Sequence, residues 1–228
     1  MSIERALVIG AGGEVGRATA DALTAAGAHV VAAGRERNAT DPAQVAALLD
    51  EADPDLVVVA AGARPHLASI DQQSWESFST PWNVDVRITF EVGRAALARP
   101  LRPTSTVMIV SSGAGLAGSP LSGGYAGAKR TQMFVADYLQ RAAEARGLRI
   151  RFVALAPRQF LVGTPIGEAA AAAYGAQAGM SADAYVARRF PVPLDAAGVA
   201  RAILALASGD EHRDAAVVGL TGGGMEAI

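Results

Sequence analysis

Three side chains in the middle of the chain have the types and the spacing that proton transfer requires. Ser112 precedes Tyr125 by thirteen residues, and Tyr125 precedes Lys129 by four. If a helix begins near Gly123 or Gly124, the phenol and the ammonium lie on one helix face, one turn apart. A nearby positive charge favours the phenolate and lowers a tyrosine pKa from its usual value of about 10. A tyrosine held in this way can act as a general acid or base.

Lys129 is the only lysine in a chain that contains nineteen arginines. Arginine serves most surface roles as well as lysine, but its planar, forked guanidinium does not replace a compact ammonium beside a phenol. The composition therefore indicates that position 129 needs an ammonium. The alternative is a lysine that points into solvent from an ordinary helix.

The N-terminal residues predict a strand, a glycine turn and a helix. The apolar run Ala6–Ile9 ends in the segment GAGGEVG, residues 10–16, and an alanine-rich helix continues to about Ala26. Glycines at 10, 13 and 16 let a pyrophosphate approach the backbone at the start of the helix, where unpaired N–H groups favour its charge. Glycines also close ordinary strand-to-helix turns, but at the first such junction they favour dinucleotide binding.

Arg35 stands at the end of a second strand, His29–Gly34, which we expect to be buried. The ribose of a bound dinucleotide lies at this position, where an acidic residue would hold a 2′-hydroxyl and an arginine suits a 2′-phosphate. The sequence therefore favours NADP(H) over NAD(H). The alternative is a solvated arginine next to Glu36.

The connection from Arg35 to Asp41 is too short for a complete crossover. Only seven residues precede a helix that starts at Pro42, with Asp41 as its N-cap. A parallel crossover takes a dozen residues or more. We therefore predict that the usual third strand, at the edge of the sheet, and the helix before it are missing or vestigial.

The rest of the chain continues to alternate between strands and helices. This pattern predicts one α/β domain over residues 1–228, with a doubly wound parallel sheet covered by helices on both faces. The long segment 158–193 lacks a regular pattern and is interpreted as a substrate lid. Further strands are expected at Asp55–Ala61, Thr106–Val110, Ile150–Ala156 and Ala215–Leu220, and further helices at Trp75–Phe78, Trp82–Ala98 (after an interruption at Pro81), Gly124–Arg146 and Asp195–Ala207.

The composition excludes several classes of partner. A net charge of −2 with scattered arginines gives no basic surface for nucleic acid or an anionic membrane. The chain has no cysteine, and its three histidines are too far apart to form a recognised metal motif, so no metal is expected. Charged residues interrupt the first apolar run, and no later run is long enough to span a bilayer. A soluble, cytoplasmic protein is expected.

The combined motifs resemble those of the short-chain dehydrogenase/reductase family over essentially the whole chain. The Ser112, Tyr125 and Lys129 spacing matches the family's Ser and Tyr-x-x-x-Lys pattern. Asn83 lies in the helix before the central strand, where the family's active-site Asn is expected. The resemblance implies hydride transfer between a nicotinamide and a carbonyl or secondary alcohol.

The resemblance also implies a role for each site residue. Tyr125 would be the general acid/base, Ser112 would bind the substrate oxygen, Lys129 would hold the nicotinamide ribose and Asn83 would anchor a relay water. It further implies a homodimer or homotetramer, formed by apolar faces near 83–98 and 125–146, with a small-molecule carbonyl or alcohol as substrate. The predicted cofactor-binding residues are Gly10, Gly12, Gly13, Val15, Gly16, Arg35, Asp41, Ala61, Gly62, Tyr125, Lys129 and Pro157.

The chain departs from the family pattern in several places, and the departures at Glu14 and Arg158 keep other functions open. Glu14 places a carboxylate where the family often has Gly, Arg158 follows Pro157 where Gly is usual, and the segment 59–62 lacks the family's two Asn. The alternatives are a non-catalytic NAD(P)-binding regulatory protein on the same fold, or an epimerase or lyase that uses bound NAD. Arg158 is interpreted as a residue that binds an anionic substrate or closes the lid.

Overall fold

A seven-stranded sheet forms the centre of the computed structural model, which describes residues 3–228. Its strands are β1 (Arg5–Ile9), β2 (His29–Ala33), β3 (Leu56–Val59), β4 (Thr106–Val110), β5 (Arg151–Pro157), β8 (Val217–Thr221) and β9 (Gly224–Ala227), and a separate pair is formed by β6 (Leu161–Val162) and β7 (Leu194–Asp195). The order in the sheet is β2-β1-β3-β4-β5-β8-β9, and all neighbours are parallel except β8 and β9. The predicted doubly wound α/β fold is therefore confirmed, with one antiparallel strand that the sequence did not indicate.

Helices cover both faces of this sheet. They are α1 (Glu14–Ala25), α2 (Pro42–Ala52), α3 (Trp75–Pro81), α4 (Arg87–Ala98), α5 (Ala114–Ala117), α6 (Gly123–Ala145), α7 (Pro165–Gln177), α8 (Ala182–Arg189) and α9 (Ala196–Ser208). One apolar core packs α2, α4 and α6 on one face, and a second packs α1 and α9 on the other. The four residues of β3 are fully buried because both of its faces are covered.

The sheet ends at β2, so the predicted loss of the usual third strand and its preceding helix is confirmed. Asp41 caps α2, its carboxylate accepting a hydrogen bond from the Ala43 N–H at 2.9 Å. The expectation that β2 is buried was wrong. Only Ala33 is buried in β2, because no strand lies beyond this edge of the sheet.

The interruption predicted at Pro81 takes the form of a wider helical turn. Pro81 is the last residue of α3, and a π-helical turn, Trp82–Val86, joins it to α4 without leaving helical backbone angles. Proline lacks the N–H group that would continue the regular hydrogen-bond ladder. The wider turn changes which side chains of this segment face the core.

The segment 158–193 is more regular than the sequence indicated. It contains β6, α7 and α8, and β6 pairs with β7 just beyond its end. Thr164 and Ser181 cap the two helices, each hydroxyl accepting a backbone N–H. A cluster of aromatic rings, Phe160, Tyr174, Tyr185 and Phe190, packs inside this segment.

Candidate active site

The carboxyl ends of the parallel strands open into one cleft of about 480 Å³. Residues 13–16 of the glycine turn line it, together with Ser112, Tyr125 and Lys129. Ligands of open α/β sheets bind at this edge, outside the strand ends. The structure therefore brings the predicted cofactor turn and the predicted proton-transfer residues to the same cavity.

The glycine turn depends on close backbone contacts. Gly10 has φ +94°, and a Cβ there would lie 2.4 Å from the Ala61 backbone nitrogen. A Cβ at Gly16 would lie 2.1 Å from the Gly10 carbonyl oxygen. Gly10, Gly16 and Ala61 thus shape the turn, whereas an added Cβ at Gly12 would meet nothing within 4 Å. Packing does not require glycine at position 12, which stays a predicted cofactor contact.

Arg35 lines the cleft just beyond the end of β2. The neighbouring Glu36 carboxylate accepts the Gly34 N–H at 2.8 Å. Hydrogen bonds from its own backbone and from Gly34 lower the pKa of Glu36 below its usual range. Asp41 is used as the cap of α2 and does not line this cleft, so its predicted cofactor contact has no support from the geometry.

The two serines after β4 have different environments. Ser111 is buried and donates its hydroxyl to the Lys129 carbonyl at 2.8 Å, which ties β4 to α6. The Ser112 hydroxyl lines the cleft and accepts the Ala114 N–H at 3.2 Å. Of the two serines, Ser112 is therefore the one whose hydroxyl is open to the cleft.

Tyr125 and Lys129 share one face of α6, as their spacing predicted. The Lys129 ammonium lies 5.5 Å from the centre of the Tyr125 ring. Two close contacts let this part of α6 approach α3 and α5. A Cβ at Gly124 would lie 1.7 Å from the Phe78 carbonyl oxygen, and one at Gly115 would lie 2.7 Å from the Arg130 nitrogen.

Lys129 is only 5% exposed and lies among three oxygen atoms. Its ammonium is 3.0 Å from the Asp85 carboxylate, donates to the Gln132 side-chain oxygen at 3.0 Å and donates to the Val110 carbonyl at 3.3 Å. These partners match in number the three N–H groups of an ammonium. A ribose hydroxyl that binds Lys129 must therefore replace or share one of them.

The charge of Lys129 is stabilised by its neighbours despite the burial. Burial is the largest single effect and lowers the pKa of Lys129, but the charge interactions with Asp85 and Tyr125 and the hydrogen bond to Asp85 together outweigh it, so the pKa is raised above its ordinary value. Asp85 has no exposed surface, and its second oxygen accepts the Ala63 N–H at 2.7 Å. Gly62 leaves room for this carboxylate, since a Cβ there would lie 2.8 Å from it.

The prediction that Asn83 takes part in the site is corrected to Asp85. Asn83 is exposed on the π-helical turn and does not line the cleft, whereas Asp85, two residues later, is buried and lines it. The Asp85 backbone carbonyl accepts hydrogen bonds from Thr89 at 2.9 Å and from Gln132 at 3.2 Å. Protein groups thus hold the carbonyl of this helical turn, and the structure provides no role there for Asn83.

The sequence contained one signal for Asp85. It lies between two valines, three and four residues before Ile88 and Thr89, which are buried on α4. A carboxylate on the buried face of a helix needs a charged or polar partner. By this criterion Asp85 is a better candidate than Asn83, and Lys129 is the only lysine that can pair with it.

Pro157, the last residue of β5, and Arg158 pack against the loop that carries Ser112. Gly113 donates its N–H to the Pro157 carbonyl at 2.7 Å, and a Cβ at Gly113 would lie 2.7 Å from the Arg158 Cα. Both Pro157 and Arg158 line the cleft. The Arg158 guanidinium forms an ion pair with Glu226 on β9.

Comparisons with known proteins support the fold. A family model described as RmlD substrate binding domain matches residues 4–74. No curated protein matches the chain by sequence. Sorbitol-6-phosphate 2-dehydrogenase from Erwinia amylovora superposes with a TM-score of 0.81 at 22% identity, covering 96% of this chain and 98% of that one.

Two further solved structures have the same fold. A short-chain dehydrogenase from Mycobacterium avium has a TM-score of 0.71 at 22% identity, covering 99% of this chain and 84% of its own. A short-chain dehydrogenase from Burkholderia cenocepacia J2315, solved with NADP, has a TM-score of 0.75 at 23% identity, covering 96% of each chain.

The chain has the Rossmann fold of the short-chain dehydrogenases. The resemblance found in the sequence motifs is thus confirmed for the fold. Within residues 3–228, no helix is both long and apolar enough to cross a membrane.

Proposed function

We propose that the chain is a short-chain dehydrogenase/reductase that transfers a hydride between NADP(H) and a carbonyl or secondary alcohol. The observation that carries this proposal is the shared cleft, in which Ser112, Tyr125 and Lys129 face the same cavity as residues 13–16. In the direction of reduction, the carbonyl carbon gains a hydride, its oxygen gains a proton, and NADPH becomes NADP⁺. The nicotinamide supplies the hydride when it is bound.

The chain's own residues bind the substrate oxygen and move its proton. The Ser112 hydroxyl donates a hydrogen bond to the carbonyl oxygen, and this orients the carbonyl and stabilises the negative charge that develops on it. The Tyr125 phenol donates the proton to that oxygen, or removes it when an alcohol is oxidised. Lys129 keeps a positive charge beside the phenol, and Asp85 and Gln132 fix its position.

The residues of the glycine turn fit the phosphates of a dinucleotide. Gly13, Val15 and Gly16 line the cleft at the start of α1, where backbone N–H groups are unpaired. Arg35 extends the same cleft and suits a 2′-phosphate, since Glu36 is held by the backbone of its own turn. NADP in one solved structure of this fold also supports a preference for NADP(H).

We propose that residues 158–193 act as the substrate lid. Phe160, Tyr174 and Phe190 line the cleft from this segment. The Tyr174 hydroxyl bonds to the Ser119 hydroxyl, which lies on the loop between α5 and α6. This contact joins the segment to the loop that precedes Tyr125.

We also propose that the protein forms a homodimer or homotetramer through α4 and α6. Phe90 on α4 is exposed, and Phe134 and Tyr138 on α6 are 60% and 61% exposed. The rings of Phe134 and Tyr138 stack with centres 6.0 Å apart. Exposed aromatic groups of this kind mark interaction surfaces.

The decisive experiment compares the wild type with Tyr125→Phe. NADPH oxidation is measured with a panel of aldehydes and ketones, and NADPH binding is measured by fluorescence titration. The phenylalanine variant should lose about 10²- to 10⁴-fold in kcat, the usual contribution of general acid catalysis, while its affinity for NADPH stays near that of the wild type. Equal turnover by both proteins would refute the proposed role of Tyr125.

A second candidate function is a cofactor-binding regulatory protein. Two observations favour it. Glu14 places a carboxylate in the cleft beside the glycine turn, and the Lys129 ammonium already has three oxygen partners within the protein. Tight NADPH binding by the wild type, without turnover of any carbonyl in the panel, would favour this function.

A further inference from the structure

Two of the arginines that line the cleft, Arg158 and Arg189, also line a second cavity. Arg158 directly follows β5 and packs against the Ser112 loop, as the close approach of Gly113 to its Cα shows. Arg189 is the last residue of α8. Both side chains line the cleft of Tyr125 and also a neighbouring cavity of about 520 Å³. They therefore lie where the two cavities meet.

The two arginines differ in their ionic partners. Arg158 is neutralised by Glu226, the only acidic residue that lines the neighbouring cavity within residues 3–228. Arg189 has no carboxylate within ion-pairing distance among those residues, and its guanidinium lies 5.9 Å from the centre of the Phe190 ring. A chain with a net charge of −2 thus keeps an uncompensated positive charge beside its substrate pocket.

The wall next to Arg189 is aromatic. The Phe160 ring stacks on Tyr174 at 5.6 Å and on Tyr185 at 6.2 Å, and it meets Phe190 edge-on at 5.3 Å. Phe160, Tyr174 and Phe190 all line the cleft that contains Ser112 and Tyr125. Aromatic rings bind flat apolar groups well, and a polyol would leave its hydroxyl groups poorly paired against them.

We infer that the substrate is a carbonyl compound with an apolar, ring-bearing body and a carboxylate, and that Arg189 binds the carboxylate. The guanidinium can donate two parallel hydrogen bonds to a carboxylate, while the aromatic wall packs against the body. The carbonyl then lies at Ser112 and Tyr125. This inference rests on the proposed reductase function, and it adds the substrate class and the residue that selects it.

The chain offers a matched control for Arg189. Arg188 is its neighbour on α8 and is also exposed, but it lines neither cavity. The variants Arg189→Gln and Arg188→Gln therefore remove the same charge from the same helix turn. Only the first removes it from the cleft.

The activity test uses benzoylformate and its methyl ester, which share the ketone and the ring but differ in charge. For the wild type, kcat/KM with NADPH should be higher for the acid than for the ester. In Arg189→Gln the ratio of acid to ester should fall about tenfold, the loss expected for one partly solvated charge-assisted contact. Arg188→Gln should keep the wild-type ratio. An ester that is used as well as the acid by the wild type, or an unchanged ratio in Arg189→Gln, would overturn the inference while leaving the reductase function intact.

A binding test separates the inference from the proposed reaction. Phenylacetate and phenylacetamide, neither of which has a ketone to reduce, are titrated calorimetrically into the wild type and both variants with saturating NADP⁺. Phenylacetate should bind more tightly than the amide to the wild type and to Arg188→Gln, and this difference should be lost in Arg189→Gln. If that pattern holds but no carbonyl is reduced, the proposed function fails and the anion site stands. Equal binding of acid and amide to the wild type refutes the site.

Discussion

The Asp85 carboxylate lies 3.0 Å from the Lys129 ammonium, and both side chains are almost completely buried. The pair joins the π-helical turn before α4 to the helix that carries Tyr125. The Asp85 carboxylate also accepts a hydrogen bond from the Ala63 N–H, on the loop after β3. Asp85 therefore connects this loop to Lys129.

Removal of one partner of this pair should destabilise the fold strongly. Asp85→Ala leaves a buried ammonium without its counter-ion, and such changes cost about 3–5 kcal/mol in the free energy of unfolding. Asp85→Asn, which keeps hydrogen-bonding groups at the same place, should cost less. Urea denaturation of the wild type and both variants measures the difference.

The double variant Asp85→Leu/Lys129→Met provides the control, since it removes both charges together. It should be more stable than either single variant, because no unpaired charge stays buried. Single-variant losses below about 1 kcal/mol, which are typical of exposed ion pairs, would contradict the description of this pair as buried and coupled.

The stability of the protein should fall at alkaline pH through the titration of Lys129. Burial lowers the pKa of Lys129 in the folded state, but the charge interactions with Asp85 and Tyr125 and the hydrogen bond to Asp85 together outweigh it, so the pKa is raised above its ordinary value. A raised pKa means that the pair's stabilisation is complete below about pH 10 and is lost as the pH rises through the folded-state pKa.

The measurement is the difference in the free energy of unfolding between the wild type and the double variant, at about pH 8 and at about pH 11 and above. This difference cancels the titration of the tyrosines and arginines that the two proteins share. It should decrease at the higher pH, and a constant difference would contradict the assignment.

Arg35 should select the cofactor. Arg35→Ala removes the guanidinium that suits a 2′-phosphate, so the Kd for NADPH should rise about tenfold or more, as expected for one charge-assisted hydrogen bond. The Kd for NADH, which lacks that phosphate, should change little.

Fluorescence titration of both nucleotides measures this selectivity. Arg17→Ala is the control, because Arg17 is exposed on α1 but does not line the cleft. An equal loss of affinity for both nucleotides in Arg35→Ala would show that Arg35 does not bind the 2′-phosphate.

The aromatic surface on α6 should hold the protomers together. Phe134→Glu places a charge beside Tyr138 on this exposed surface, and a buried, unpaired carboxylate opposes association. Sedimentation velocity should show the variant as a smaller species than the wild type. The control is Trp75→Glu, a similar change at a 78% exposed side chain on α3, which should leave the assembly unchanged. A wild type that sediments as a monomer would refute the proposed assembly.

The sequence predicted the fold, and the placement of Tyr125 and Lys129 on one helix, because these signals are local. Buried apolar runs mark the strands, and the four-residue spacing of Tyr125 and Lys129 places both on one helix face. The seven-residue gap before Pro42 was likewise enough to predict the lost edge strand. These features need no knowledge of distant contacts.

The pairing of Asp85 with Lys129 is a feature that the sequence motifs did not predict. Asn83 was selected because the resemblance to the family implies an active-site Asn on the helix before the central strand, but in the structure Asp85, two residues later, pairs with Lys129. Asp85 and Lys129 are 44 positions apart in sequence, so no local sequence pattern predicts that they pair. The helices within 158–193 were missed for another reason, since the alanines and glycines there give no clear apolar face.

Chemical labelling of the single lysine can measure how often the centre of the site becomes accessible. Apart from the α-amino group at the start of the chain, Lys129 carries the only amine available to an acylating reagent. Because Lys129 is 5% exposed and its ammonium is held by three oxygen partners, acylation at this position requires these contacts to open. The rate at which one label enters α6, followed by mass spectrometry, therefore measures how often the folded protein exposes the centre of its site.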